Sequence, residues 1–279
     1  MRSSAVVDRV IIVVLDGLRP DAVATFGLDH LAALAARSAH TYAARTVTPS
    51  VTACAMSSLF TGASPERHGM RSDKFGVPRP TGQIDPLPKV LATHGLTATA
   101  HMAQLPWLYR GLGRKIASML GVQYAGFHGH YCTSILEGAL PTIRARSTAL
   151  TLMHWPDADR AGHKHAWMSR EYGIAARRMD SALGALVREV EGDEGTLLIA
   201  LADHGGGAVN PKHHMSDHPT DHTIPLVIAG PRVTPGVLPT GVSLLDVPPT
   251  ALWALGIDIP ESYAGQPIRA AFARALAAA

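Results

Sequence analysis

The chain is poor in cysteine and in aromatic residues, and it has no apolar run long enough to cross a bilayer. Cys54 and Cys132 are its only thiols. Two cysteines cannot build a disulfide scaffold or a cysteine-based zinc site, so both read as reduced core residues. The first apolar stretch, Val10-Ile11-Ile12-Val13-Val14-Leu15, falls well short of the roughly 20 residues of a spanning helix and stops at Asp16-Gly17. It also lacks a small-residue cleavage site, so the expectation is a strand in a cytoplasmic protein without a membrane partner. Charge of one sign is scarce too. Net charge is +3 with His neutral, and no basic run occurs. That excludes the electrostatic footprint of a nucleic-acid-binding protein.

What is present is enough for one sizeable core: 279 residues, 47% of them apolar. The chain also holds 15 His, several crowded between His204 and His222, and such a concentration invites a metal reading. Asp203-His204-Gly205 follows the apolar run 196–202, the pattern of a buried parallel strand handing a carboxylate and an imidazole to the sheet's carboxyl edge. Open α/β sheets place their chemistry there. Gly205-Gly206-Gly207 breaks the strand so that both side chains can serve one site. Alone, the triplet is equally compatible with a hydrogen-bonded turn.

Two more strands end in the same way. Residues 9–15 lead to Asp16, and residues 149–153 lead to His154-Trp155-Pro156-Asp157-Ala158-Asp159-Arg160-Ala161-Gly162-His163, where Asp159 and His163 are one helical turn apart. Thr52 falls at the start of an expected helix over 52–60, after Pro49. Free N–H groups there suit an anionic phosphate, although taken alone the stretch favours an ordinary N-cap. Helices are also expected at 31–39, 86–93, 134–146, 171–190 and 244–255, with strands at 97–102 and 224–229. Residues 105–130 read as irregular, with Trp107, Tyr109 and His128 as possible pocket walls. Mixed carboxylate and imidazole ligation suits zinc, and manganese or iron is compatible with it.

The ordered series Val14-Leu15-Asp16-Gly17, Pro49-Ser50-Val51-Thr52, Leu59-Phe60-Thr61-Gly62, His68-Gly69, Asp159-Arg160-Ala161-Gly162-His163, Asp203-His204-Gly205 and Thr223-Ile224-Pro225-Leu226 resembles the alkaline phosphatase superfamily. The likeness is strongest to its type I phosphodiesterase and nucleotide pyrophosphatase branch, and it extends into Leu245-Asp246-Val247-Pro248-Pro249-Thr250. It implies a single domain over 1–279: a three-layer α/β/α sandwich around a mostly parallel sheet, with a small cap or insert near 70–130. It also implies a two-metal hydrolase working through a phosphothreonine intermediate on Thr52. One divalent ion would be held by Asp16, Thr52, Asp203 and His204, the other by Asp159, His163 and a late His. His214 is the choice for that late ligand, with His218 in reserve.

One position departs from the branch. Where an Asn usually binds a phosphoryl oxygen, this chain has Asp73, followed by Lys74. Either Lys74 takes over, Asp73 faces away, or the substrate differs, so both enter as candidate catalytic residues. The expected partner is a small phosphoester or phosphonate. A phosphodiesterase is the leading expectation, with phosphonoacetate hydrolase or phosphomonoesterase chemistry at the same site as alternatives and a non-catalytic metal-binding protein behind them. A sulfatase would need Cys or Ser at position 52, and Cys54 is out of register. A cofactor-independent phosphoglycerate mutase would need a much larger second domain.

Overall fold

The computed structural model describes residues 5–73 and 79–272. Its centre is an eight-stranded sheet: β1 (Arg9–Leu15), β2 (Ala39–Arg45), β3 (Ala98–Ala103), β4 (Tyr124–His128), β5 (Leu150–Trp155), β6 (Thr196–Leu201), β7 (Thr223–Ala229) and β8 (Gly236–Val237), in the order β4-β3-β5-β1-β6-β7-β2-β8. All neighbours pair in parallel except β7, which runs against both β6 and β2. β1 and β6 are buried along their whole length. Helices covering both sheet faces impose that, and it is why these strands are continuous Val, Ile and Leu runs. One helix layer packs Asp29–Ala36 and Cys132–Ala145 around Arg170–Val190; the other packs Thr52–Thr61 with Leu87–Thr93 and Val247–Ala254. The result is a three-layer α/β/α sandwich.

The central trio β5-β1-β6 puts three carboxyl ends side by side, in register from Val10 opposite Leu150 and Leu197. Two parts of the chain differ from the sequence-based expectation. The helix expected over 31–39 ends at Ala36, and Ala39 opens β2 instead. Ala-rich composition favours a helix there, but pairing with β7 overrides it. Residues 105–130 are regular: they form the helix Trp107–Met119 and then β4, an edge strand. Within 70–130, then, β3 and β4 are strands of the main sheet.

Both thiols are free and buried. Burial pushes the Cys54 thiol up to about 12, far from a reactive thiolate. No described helix is long and apolar enough to cross a membrane.

Candidate active site

Asp16 leaves β1 with its N–H donating to Trp155 O at 3.0 Å, and its own carbonyl accepts the Asp159 N–H at 3.0 Å. Backbone bonds therefore fix the ends of β1 and β5 against each other before any side chain acts. Gly17 lets this happen: at φ +70°, its position leaves a hypothetical Cβ 2.8 Å from Asp159 Cα, so only glycine fits. Its N–H donates to Asp203 Oδ1 at 3.1 Å, and its carbonyl accepts Trp167 Nε1–H at 3.0 Å and the Tyr172 hydroxyl at 2.9 Å. Asp203 Oδ1 also takes the His204 N–H at 3.0 Å, which leaves Oδ2 free.

The imidazoles are oriented through their second nitrogens. His204 Nδ1 donates to Gly205 O at 2.7 Å, His214 Nδ1 to Ser50 O at 2.5 Å, and His163 Nδ1 to Lys212 O at 2.8 Å. Each bond fixes the tautomer and turns a bare Nε2 inward, as outer partners do for metal-binding histidines. His204 and His214 stack at 3.8 Å between centroids, and the Nε2 atoms of His214 and His163 are 3.2 Å apart. His204 Nε2 has three carboxylate oxygens around it: Asp16 Oδ1 at 3.3 Å, Asp203 Oδ2 at 3.7 Å and Asp159 Oδ1 at 3.9 Å. Asp159 Oδ1 lies 3.3 Å from His163 Nε2 and 3.8 Å from His214 Nε2. Thr52, the first residue of its helix, places Oγ1 3.1 Å from His204 Nε2.

Electrostatically this is a site short of positive charge. Burial first, then the carboxylates of Asp203 and Asp159, hold Asp16 well above the usual carboxylate range. Asp16 Oδ1, Asp159 Oδ1, Asp203 Oδ2 and His154 Nε2 are all buried without a hydrogen-bond partner. Orphaned polar atoms are costly unless something binds them. With His204 and His214 they form two candidate ligand groups, Asp159-His204-His214 and Asp16-His154-Asp203. Oxygen and nitrogen atoms about 3.3 Å apart are spaced as two ligands of one cation would be.

His154 was given no role from the sequence. Its Nε2 is 3.3 Å from Asp16 Oδ2, and the only hint was its place near the end of an apolar strand. Of the late histidines, His214 faces the cluster. His218 does not: it is exposed and its Nδ1 accepts the Thr220 N–H as a helix cap. Asp157 points elsewhere, accepting from Cys132 N and Arg178. Asp73 Oδ1 accepts the Ala53 N–H at 2.8 Å, while Lys74 lies outside the described residues. Trp107 and Tyr109 are exposed on the outer helix, and His128 pairs with His101 at 3.0 Å; none of the three lines the cluster.

An eight-stranded, mostly parallel sheet with carboxylates and imidazoles converging at the ends of its central strands is the layout of an α/β protein that carries its chemistry at the sheet's carboxyl edge. The sequence profile of the type I phosphodiesterase/nucleotide pyrophosphatase family matches residues 10–86 and 90–246, and the chain belongs to that family. Murine ectonucleotide pyrophosphatase/phosphodiesterase 5 in complex with AMP superposes with a TM-score of 0.71 at 13% identity, covering 91% of this chain and 96% of that one. The lipoteichoic acid synthase LtaP from Listeria monocytogenes superposes at 0.70 with 15% identity, covering 94% and 75%. Among curated proteins, the 2,3-bisphosphoglycerate-independent phosphoglycerate mutase of Vibrio vulnificus (strain YJ016) is 28% identical over 137 residues, which is 48% of this chain and 26% of the mutase. The match thus spans about a quarter of that relative's length.

Proposed function

We propose that the protein is a metal-dependent phosphodiesterase or nucleotide-pyrophosphatase-like hydrolase in which Thr52 attacks phosphorus. The observation that carries this reading is the Thr52 Oγ1 to His204 Nε2 distance of 3.1 Å, which sets a hydroxyl at a helix start inside a cluster of unpartnered carboxylate and imidazole atoms. That donor set fits divalent cations. Asp16, Asp203 and His204 would hold one with Thr52; Asp159, His163 and His214 would hold the other. Zinc suits the mixed ligation best. Two such ions would lower the pKa of the attacking hydroxyl and offset charge on the phosphoryl and departing oxygens.

The chain's own residues do the rest. The helix beginning at Thr52 puts the positive end of its dipole beside Oγ1, which favours an anionic phosphoryl group there, although the Ala53 N–H is already taken by Asp73. Attack by Thr52 Oγ1 forms an Oγ1–P bond and breaks the bond to the first alcohol, which leaves with the hydroxyl's proton; water then cleaves the Oγ1–P bond, releasing the phosphate monoester of the second alcohol and restoring the hydroxyl. Asp73, on the Ala53 N–H, favours diesters, since a dianionic monoester meets more repulsion from that carboxylate than a monoanionic diester does.

The test is turnover of bis-p-nitrophenyl phosphate, p-nitrophenyl phosphate and phosphonoacetate by zinc-loaded protein, with Thr52→Ala as control. Diester preference, together with a Thr52→Ala variant that keeps its zinc but loses roughly 1,000-fold or more in kcat, is the expected outcome. Full activity in Thr52→Ala would remove Thr52 as nucleophile. Phosphonoacetate preference would move the assignment to carbon-phosphorus hydrolysis at the same site.

A further inference from the structure

The helix Trp107–Met119 is turned the wrong way round for a surface helix. Its small residues face the protein: Ala117 is buried, and Gly113 lies against Leu105 and Phe127. Its large apolar residues face out. Trp107 is 79% exposed, Leu108 67% and Met119 70%, with Tyr109, Leu112 and Ile116 exposed as well. Leu108, Leu112, Ile116 and Met119 recur at four, four and three residues and so form one stripe. A folded chain normally buries such a stripe. Here the helix packs beside β4, the edge strand, whose Tyr124 is also exposed.

Charge identifies what the stripe meets. The helix carries Arg110, Arg114 and Lys115 and no acidic residue, and the chain holds no Asp or Glu anywhere between Asp85 and Glu137. A second copy docked through this face about a two-fold axis would set these cations against their own counterparts. An apolar stripe flanked by Arg and Lys, with a Trp at one end, matches an anionic membrane interface instead.

We propose that the Trp107–Met119 helix is a docking surface for an anionic lipid bilayer, lying in the interface with its apolar stripe inserted and Arg114 and Lys115 against the headgroups. That no described helix is long and apolar enough to cross a bilayer does not bear on this, because an interfacial helix adsorbs without crossing. The helix follows the carboxyl end of β3, the strand that pairs with β5, so adsorption would hold the carboxylate and imidazole cluster close to the membrane surface.

The experiment is sedimentation of the full chain with sucrose-loaded vesicles of phosphatidylcholine alone, or with about one third phosphatidylglycerol, at low and physiological salt. It needs no turnover, so it stands apart from the hydrolase assignment. Wild-type protein should sediment with the anionic vesicles, less so at higher salt, with a blue shift of its tryptophan emission. Leu108→Ser/Leu112→Ser/Ile116→Ser and, separately, Arg114→Gln/Lys115→Gln should each weaken binding roughly tenfold or more while leaving soluble-substrate turnover and circular dichroism unchanged. Arg114 and Lys115 are both exposed, so the charge variant tests the idea even if the apolar one fails to fold. Wild-type protein remaining in solution with both vesicle types would overturn the proposal. So would variants that bind like wild type, or a solution dimer that ignores vesicles and dissociates in the apolar variant.

Discussion

Asp73 Oδ1 accepts the backbone N–H of Ala53 at 2.8 Å, one residue beyond Thr52. Val51, the residue before the helix, offers no side-chain cap, so a carboxylate twenty positions along the chain supplies one. It does so where a helix start would otherwise welcome an anion. Replacing Asp73 by Asn keeps an acceptor and removes the charge. The expected outcome is a roughly tenfold rise in kcat/KM for p-nitrophenyl phosphate relative to bis-p-nitrophenyl phosphate, the size of one nearby charge partly screened by water. An unchanged ratio would leave Asp73 as a helix cap alone.

His154 presents an unpartnered Nε2 to Asp16 Oδ2 at 3.3 Å and stands with Asp16 and Asp203 in one ligand group. If the proposed two-metal site is right, His154→Ala should weaken one zinc-binding event by roughly 10- to 100-fold in competition with a chelator, and should change the visible spectrum of the cobalt-substituted protein. His218→Ala, which removes an exposed cap, should alter neither. Two unchanged affinities in His154→Ala would make that histidine a bystander.

What the sequence disclosed, and what it hid, follow from burial. β1, β5 and β6 were legible because both sheet faces are covered, which writes them as apolar runs ending in a carboxylate. The same covering hid His154: in a strand buried on both sides, alternation does not reveal which face a side chain serves. β2 was hidden by its alanines. Gly111, Gly113 and Gly121 made the following stretch look irregular, although Gly113 is glycine because the helix presses on Phe127. His214 was separable from His218 only by its distance to Thr223-Ile224-Pro225; the fold separates them plainly, since the His214 ring bonds Ser50 O and stacks on His204. Asp73 was visible as a departure, but its partner Ala53 was not, because that contact is made by a loop returning to a helix start.

His68 gives the stability a pH dependence. Its Nδ1 accepts the Met70 N–H at 3.0 Å and its Nε2 lies 3.0 Å from Ser58 Oγ, and burial lowers its pKa to about 4. Burial lowers His101 to about 4 as well. The unfolded chain takes up protons near 6.5, the folded chain only near 4. The unfolded state therefore binds more protons between those values, and stability is lost as pH falls through that window. Between about pH 7 and about pH 5 the urea midpoint of metal-free protein should fall more, or rise less, in wild type than in His68→Gln, the difference being the His68 contribution. An identical slope in the variant would show that His68 takes no part.

Gly17 and Gly95 share a positive φ and differ in their surroundings. Gly95, at φ +71°, has nothing within 4 Å of a hypothetical Cβ, so Gly95→Ala should cost only the left-handed penalty, about 1 kcal/mol. At Gly17, φ +70°, the added methyl meets Asp159 Cα at 2.8 Å and Asp159 N at 3.0 Å. That residue's N–H holds Asp16 O, so relief of the clash must part the ends of β1 and β5. Gly17→Ala should lose about 2 kcal/mol or more in urea unfolding, and its zinc affinity should fall, because the carboxylates of Asp16 and Asp159 move relative to each other. If the two variants matched in both stability and zinc affinity, the close approach at Gly17 would not be what positions the carboxylates.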